Sequence, residues 1–104
     1  MQYKNFEELP KYLSKNGIDS PLKSNMSEKE MIHAIENMNL SDEMIDLTGM
    51  KLDDQNVGHN VIYQVLSLND NFNIRIVYEA SYEEYDHDYD TWQYIYTTPI
   101  GWLE

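Results

Sequence analysis

The sequence predicts a single α+β domain, with helices in its first half and antiparallel strands in its second. Apolar residues recur at helical spacing within residues 1–50, whereas β-branched and aromatic residues alternate with polar ones within residues 58–104. We therefore expect two or three short N-terminal helices packed on one face of a three-stranded antiparallel β-meander. At 104 residues, the chain can bury a modest core as one small acidic domain, residues 1–104.

The first helix is predicted by four apolar residues at helical spacing, namely Phe6, Leu9, Tyr12 and Leu13. Pro10 is tolerated only in the first turn of a helix, so the helix can start as late as Leu9. Asn16 and Gly17 then supply a C-terminal stop. Residues 18–21 are expected to form a turn or an extended connection, because the residue before a proline avoids the helical region.

A capping box predicts the start of the second helix. The Ser27 hydroxyl can accept from the Glu30 amide while the Glu30 carboxylate reaches back to the Ser27 amide. An apolar stripe follows and indicates a helix over roughly residues 28–38. The stripe consists of Met31, Ile32, Ala34, Ile35 and Met38.

A short third helix is expected after Ser41, whose hydroxyl can cap it, with Asp42 and Glu43 near its positive end. Gly49 is expected to end this helix. The residues expected to face the core are Met44, Ile45 and Leu47.

Three runs in the second half predict strands. Residues 61–66 are β-branched and apolar, and residues 69–71, Asn-Asp-Asn, predict a turn. Successive residues within 72–82 are expected to point to opposite faces of a strand. One face then holds Ile74, Ile76, Tyr78, Ala80 and Tyr82, and the other holds Arg75, Val77, Glu79, Ser81 and Glu83. Residues 91–98 alternate again, and Pro99 is expected to end that strand. Its rings on one face are Trp92, Tyr94 and Tyr96.

The charge of the chain is large and unevenly distributed. The formal net charge is −12, from 19 acidic and 7 basic residues, which exceeds what solubility requires. Residues 1–51 carry 9 acids and 6 lysines, whereas residues 52–104 carry 10 acids and one base, Arg75. Phosphate and anionic-lipid contacts require lysine and arginine, so direct binding to nucleic acid or to a membrane is disfavoured. A basic protein partner is favoured instead.

Several classes of protein are disfavoured by what the sequence lacks. The chain has no cysteine, which excludes disulfides, thiolate nucleophiles and cysteine-ligated metal sites. No apolar signal segment begins the chain and no apolar run reaches membrane-spanning length, so a cytoplasmic location is expected. No glycine-rich phosphate loop, GxSxG motif or HExxH motif is present, and we expect neither catalysis nor a cofactor.

The most informative segment is residues 78–90, in which six of thirteen residues are acidic and four are tyrosine. Carboxylates on a rigid scaffold can replace phosphates, and tyrosine rings can replace bases or stack on arginine. We therefore predict a partner-binding surface here, formed by Glu79, Tyr82, Glu83, Glu84, Tyr85, Asp86, Asp88, Tyr89 and Asp90. The alternative interpretation is a solvated hairpin tip whose acids prevent edge-to-edge aggregation.

Two conformations of residues 78–90 are compatible with the sequence. The alternation that begins at Phe72 favours a strand leading into an acidic loop. The four tyrosines, however, are spaced by 4, 3 and 4 residues, which is also typical of one face of a helix. Both conformations stay open at this point.

A metal site in the same segment has weaker support. Residues 86–90, Asp-His-Asp-Tyr-Asp, place acids at alternate positions, as calcium loops do. The glycine and glutamate that such a loop needs at its sixth and twelfth positions are replaced by Thr91 and Thr97. His87, between two aspartates, is the best acid–base candidate, although an exposed histidine beside acids is usually inert.

Three functional hypotheses follow from these patterns. The first is a non-catalytic inhibitor whose acidic, tyrosine-rich surface blocks the basic nucleic-acid site of a nucleic-acid-acting enzyme. Phage counter-defence proteins of the anti-CRISPR and anti-restriction type are often small, acidic and free of cysteine. The second is an immunity protein that neutralises a bacterial toxin, most simply a nuclease, through the same chemistry. The third is a small metal-dependent enzyme that uses Asp86, His87 and Asp88.

Overall fold

The computed structural model describes residues 3–42, 44–46, 59–88 and 90–104. For residues 46, 59, 60, 80–86 and 91–96 it describes the backbone alone. The described chain confirms the α+β arrangement, with two short helices N-terminal to an antiparallel sheet. The elements are a 3₁₀ turn at Phe6–Glu8, α1 at Leu9–Lys15, α2 at Glu28–Glu36, β1 at Ile45–Asp46, β2 at His59–Asn69, β3 at Phe72–Asp86 and β4 at Thr91–Leu103.

Both helices begin and end where local chemistry predicts. Helix α1 begins at Leu9 with Pro10 in its first turn, and it ends before Gly17, which has a φ of 70°. The Ser27 Oγ accepts from the Glu30 amide at 3.2 Å, and the Glu30 carboxylate accepts from the Ser27 amide at 3.2 Å. This reciprocal pair caps α2. The helix ends at Glu36, two residues before the predicted end at residue 38.

The predicted third helix is wrong at Ile45–Asp46, which form strand β1 instead. Residues 39–41 and 45–46 follow the edge of β2, because the sheet offers their backbone better partners than an isolated helical turn would. The Ser41 amide donates to the Val65 carbonyl at 2.9 Å, and the Ser41 Oγ accepts from the Val65 amide at 3.0 Å. Met44, expected in the core, is 41% exposed. Leu47 and Gly49 lie outside the described residues.

The sheet has the strand order β1-β2-β3-β4, and every neighbouring pair is antiparallel. The three long strands form the predicted meander, and β1 extends it at the β2 edge. The turn between β2 and β3 lies where the sequence predicts it, and the Asn69 side-chain carbonyl accepts from the Asn71 amide at 2.9 Å.

Strand β4 continues through Pro99 to Leu103, so the expectation that Pro99 ends the strand is wrong. β4 lies outside β3 in the strand order, and proline is compatible with an edge strand because its missing N–H can face away from the neighbour. The register also shifts here: Val77 pairs with Gly101 and Tyr78 with Pro99, which leaves Ile100 as an extra residue.

The hydrophobic core lies between the helices and one face of the sheet. The predicted inward residues Ile74, Ile76 and Tyr78 are buried, as are Ile62 and Leu66 of β2. The segments before the sheet contribute Phe6, Leu9, Leu13, Leu22, Met31 and Ile35 to the same cluster. Strand alternation and helix periodicity therefore meet in one core, as expected for an α+β domain.

Trp102, near the end of β4, joins three parts of the core. Its ring is 1% exposed and lies 4.9 Å from the Tyr12 ring, centroid to centroid. Its indole Nε1–H donates to the Asn5 carbonyl at 2.8 Å. The Lys4 amide donates to the Trp102 carbonyl at 2.9 Å, and the Trp102 amide donates back at 3.0 Å. The N-terminal segment is thus fixed to the last strand by backbone and side-chain contacts together.

Gly101 is required by this arrangement. A Cβ at this position would meet the Lys4 carbonyl oxygen at 2.5 Å and would overlap the Tyr3 ring. The N-terminal segment crosses β4 at a distance that only glycine permits, which explains a glycine inside a strand.

We predict that Trp102→Ala lowers the free energy of unfolding by about 3–5 kcal/mol, because it empties a large buried volume. Trp102→Phe keeps a ring beside Tyr12 and removes the donor to the Asn5 carbonyl, so it should cost less, about 1–3 kcal/mol. Urea unfolding of the two variants and the natural chain measures both values. Equal losses in the two variants would mean that ring packing contributes little.

Candidate functional site

The acidic segment lies on a long β-hairpin formed by β3 and β4. The strands are 15 and 13 residues long and pair as far as Asp86 and Thr91. In the described part of β2, the ladder with β3 ends at the pair His59–Ser81. Beyond Ser81, β3 continues for five residues beside β4, a length of about 17 Å at the usual rise per residue.

The dimensions of the molecule agree with this extension. Its principal extents are 45 × 26 × 24 Å, and its radius of gyration is 15.0 Å, compared with about 13 Å for a compact domain of this length. Among the described residues, the part of the hairpin beyond Ser81 therefore extends past the β2–β3 ladder.

The helical alternative for the acidic segment is wrong. Residues 78–86 belong to β3 and residues 87–90 connect it to β4. The 4-3-4 spacing of the tyrosines is thus a coincidence of composition within a strand and its loop. Pairing with β4 favours the strand over the helix. β4 supplies backbone hydrogen-bond partners to the strand, whereas an isolated helix would have to nucleate without such a partner.

The loop contains a left-handed residue. Among the described non-glycine residues, Asp90 alone has a positive φ, which is 53°. Aspartate and asparagine tolerate this conformation better than other side chains because a short polar group can bond locally to the backbone. The acidic composition of the segment is therefore compatible with the turn that the hairpin needs.

The predicted site residues lie together at this end of the molecule. Glu79 is exposed on β3, and Asp88 and Asp90 are exposed in the loop. The other predicted residues of the strand, whose backbone alone is described, are Tyr82, Glu83, Glu84, Tyr85 and Asp86. Tyr89 lies outside the described residues. The hairpin brings the chain's densest acidic sequence to one projecting edge.

The register in this part of the hairpin is irregular. Tyr82 pairs with Tyr94 and Glu84 with Gln93, so Glu83 is an extra residue on β3 and Ile95 is an extra residue on β4. Bulges of this kind bend a strand and increase its twist. The alternation that starts at Ile74 therefore does not continue unchanged into the acidic part. Sequence periodicity does not predict which face of the sheet each of residues 82–86 occupies.

Tyr78, the first residue of the acidic segment, belongs to the core. It is 7% exposed, and burial, with a smaller contribution from the Glu36 charge, raises the pKa of its hydroxyl to about 12. The segment thus starts in the core at Tyr78 and ends at the exposed Asp90, in the loop that follows β3.

Arg75, the one base after residue 51, lies outside the acidic part of the hairpin. Its guanidinium is 5.4 Å from the centroid of the Tyr63 ring, and its Nη2 donates to the Glu104 carbonyl at 3.0 Å. It is therefore engaged near the other end of the sheet. The negative charge of residues 79–90 has no base within its own sequence to offset it.

Metal-binding chemistry has no geometric support in the part of the chain that the structure describes. No group of three or more histidine, aspartate or glutamate side chains converges there. The side chain of Asp86 is not among those described, so the hypothesis built on Asp86, His87 and Asp88 stays untested. His87 itself lies exposed in the loop.

Sequence reasoning missed a second feature, a shallow groove of about 490 Å³ between the N-terminal segment and α1. Its lining combines the Tyr12 and Trp102 rings with charges of both signs, from Lys4, Glu7, Glu8 and Lys11. The Lys4 Nζ lies 5.1 Å from the Trp102 ring and 3.0 Å from a Glu104 carboxylate oxygen. Since residues 4 and 102 are distant in sequence, no local pattern could have revealed the groove.

Comparison with known proteins gives no relative: no protein-family model, curated protein or solved structure matches this chain. Among the helices of the described residues, none is long and apolar enough to cross a membrane.

We predict that neutralising the acidic hairpin leaves the fold intact and its melting temperature unchanged or about 1–5 °C higher, because like charges on neighbouring positions repel. The variant carries Glu83→Gln, Glu84→Gln, Asp86→Asn, Asp88→Asn and Asp90→Asn. Its net charge changes from −12 to −7. Asparagine tolerates the positive φ at position 90.

Thermal unfolding followed by circular dichroism measures this effect. The matched control neutralises five exposed acids elsewhere, at Glu7, Asp19, Glu28, Glu36 and Asp70, and it has the same net charge. A hairpin variant that melts well below both the natural chain and the control would show that the acids have a structural role.

Proposed function

We propose that this chain is a cytoplasmic, non-catalytic inhibitor that inserts its acidic hairpin into the basic nucleic-acid site of a nucleic-acid-acting enzyme. One observation carries the proposal. Six carboxylates lie within residues 79–90, on and beside a part of the hairpin that, among the described residues, is two-stranded and extends past the β2–β3 ladder. A projecting ribbon can enter a groove that a flat acidic face could not.

The charge density of the ribbon supports nucleic-acid mimicry. Residues 79–86 span about 23 Å as a strand and carry four acids, which is one charge per about 6 Å, and the loop adds Asp88 and Asp90. A single strand of duplex DNA carries one charge per about 3.4 Å of helix axis. A basic groove that accommodates one nucleic-acid strand would therefore meet somewhat more than half that density of negative charge along β3, with two further acids in the loop.

The tyrosines supply a second kind of contact. Tyr82 and Tyr85 alternate with the acids along β3. Tyrosine rings stack on arginine guanidinium groups and on bases, and they are enriched among residues that dominate binding energy. Nucleic-acid sites contain both arginines and aromatic residues, so the hairpin offers partners for each.

The positions of the bases also favour this proposal over direct binding to nucleic acid. Arg75 and the described lysines lie outside the acidic segment, residues 78–90. Phosphate binding depends on several bases acting together, which the projecting ribbon does not have. A toxin nuclease would present the same basic site as other nucleic-acid-acting enzymes, so an immunity role is the second candidate function supported by the same hairpin.

The decisive experiment is affinity capture from the native host, followed by competition on the captured enzyme. We expect the natural chain to compete with nucleic acid for the enzyme, and the five-acid hairpin variant to lose at least about tenfold in affinity. The control neutralised at Glu7, Asp19, Glu28, Glu36 and Asp70 should lose far less. Equal affinity of the hairpin variant and the natural chain would place the site elsewhere on the molecule.

The contribution of the rings can be separated from that of the charges. Tyr85→Phe keeps the ring and should change the affinity little, whereas Tyr85→Ala should weaken binding by about 2 kcal/mol if the ring is an anchor.

If the captured enzyme is a toxin encoded beside this gene, the immunity role is supported in place of counter-defence.

We predict that association with the captured enzyme slows strongly as salt is raised. Exposed charges are screened beyond about 8 Å at physiological ionic strength, and electrostatic steering acts on the association rate. Between about 0.05 and 0.5 M NaCl, we expect the association rate constant to fall at least about tenfold while dissociation changes less. Surface plasmon resonance measures both rates, and an association rate indifferent to salt would contradict the electrostatic mechanism.

A further inference from the structure

Strand β4 forms one edge of the sheet in the described residues. It is the last strand in the order β1-β2-β3-β4, and on its outer side it pairs at Trp102 with Lys4. Residues 91–98 precede that contact, and no described strand lies beside them on this side. An edge strand presents backbone N–H and C=O groups that can pair with another extended chain. We call residues 91–98 the open edge.

The open edge lacks the features that usually prevent strand pairing. Its sequence, Thr-Trp-Gln-Tyr-Ile-Tyr-Thr-Thr, is mainly β-branched and aromatic, and it contains no charge and no proline. Proteins commonly protect an edge with charged side chains, with proline or with a very short strand. The opposite edge of the described sheet is of the protected kind, because β1 has two residues and one of them is Asp46. An unprotected edge about 26 Å long therefore indicates a use in strand pairing.

The N-terminal segment shows what this edge accepts. The Lys4 amide donates to the Trp102 carbonyl at 2.9 Å and the Trp102 amide donates to the Lys4 carbonyl at 3.0 Å, in the antiparallel sense. The Lys4 Nζ lies 3.0 Å from a Glu104 carboxylate oxygen. A basic, extended residue is thus held on β4 by backbone hydrogen bonds and an ion pair together. The chain then forms the 3₁₀ turn at Phe6–Glu8 and does not continue along the open edge.

Acids lie on the strand next to the open edge. The β3–β4 ladder pairs Glu79 with Thr98 at one end of the open edge and Asp86 with Thr91 at the other, and two more acids lie between them on β3. A strand added to β4 would lie two strand spacings from β3, or about 10 Å. That distance is comparable with the screening length of about 8 Å at physiological ionic strength, so attraction between the added strand and β3 is only partly screened.

The same charge favours one occupant over another. A second copy of this chain would bring its own net charge of −12 to the open edge and would be repelled. A segment that carries lysine and arginine would be attracted, and its long side chains could extend across β4 toward the acids of β3. Charge complementarity therefore points to a basic occupant.

We propose that the open edge docks an extended, basic segment of the partner protein, which adds to the sheet beside β4. Backbone hydrogen bonds to residues 91–98 hold the segment, and the acids of β3 select its charge. The proposal rests on the function proposed above for the identity of the partner. It adds a contact that mimicry by charge does not require, because it assigns part of the binding to the backbone of β4.

Two synthetic peptides separate backbone pairing from charge. Both have the sequence Lys-Val-Arg-Val-Lys-Val-Arg-Val with blocked ends, and both carry three backbone N-methyl groups, each of which removes one N–H donor. The one-edge peptide is methylated at its second, fourth and sixth residues, and the split-edge peptide at its fourth, fifth and sixth. Since alternate residues of a strand direct their backbone groups to opposite sides, the first peptide keeps one intact edge and the second has none. Their charges are equal, so attraction by charge alone cannot distinguish them.

Titration of the nitrogen-15-labelled natural chain, followed by NMR, measures both affinities. We expect the one-edge peptide to bind within about threefold of the unmethylated parent and the split-edge peptide to bind at least about tenfold more weakly. An uncharged peptide, Thr-Val-Gln-Val-Thr-Val-Gln-Val, should also bind at least about tenfold more weakly than the parent. The bound one-edge peptide should slow hydrogen exchange of alternate amides within residues 91–98 at least about tenfold.

Three outcomes would overturn the proposal. The split-edge peptide could bind as tightly as the one-edge peptide, or exchange could fail to slow within residues 91–98. Exchange there could instead slow as the concentration of the natural chain alone is raised, which would make a second copy the occupant. Equal binding of the two peptides leaves inhibition by charge standing. Conversely, failure of the natural chain to compete with nucleic acid for the captured enzyme would refute the proposed function and leave the peptide result intact, because the peptides are tested without the enzyme.

Discussion

The arrangement of this molecule depends on strand β3 serving two roles along its length. Its first half supplies Ile74, Ile76 and Tyr78 to the core, and its second half carries the acidic hairpin. Because both halves belong to one continuous paired strand, folding of the core also fixes the direction of the hairpin. A binding surface built on such a strand is preorganised, which lowers the entropic cost of binding.

The acids of residues 79–90 are separated from Lys4 and Arg75. Lys4 and Arg75 lie at the end of the sheet where Trp102 and Glu104 meet the N-terminal segment. The acidic ribbon lies beyond the other end of the β2–β3 ladder. Like-charge repulsion there acts on carboxylates that are exposed wherever their side chains are described, at Glu79, Asp88 and Asp90. The same separation gives the molecule an electrostatic direction, with an acidic end able to steer a basic partner.

Much of the fold could be predicted because its causes are local. The Ser27–Glu30 capping box, the Gly17 stop and the alternation from Ile74 to Tyr78 each involve residues within a few positions of one another. The two errors, a helix at Ile45–Asp46 and a strand end at Pro99, have a common origin. In both places the partner is a distant strand, and pairing along the edge of a sheet overrode a local preference.

The sequence by itself determined that the chain is acidic, that its second half is β-rich and that residues 78–90 concentrate the carboxylates and tyrosines. Only the tertiary structure decided that these residues form a projecting ribbon, because the choice between strand and helix depended on pairing with β4. It also decided that Gly101 must be glycine and that Trp102 joins the N-terminal segment to the last strand. The contacts of Gly101 and Trp102 join residues almost a hundred positions apart, and local periodicity does not predict contacts of this kind.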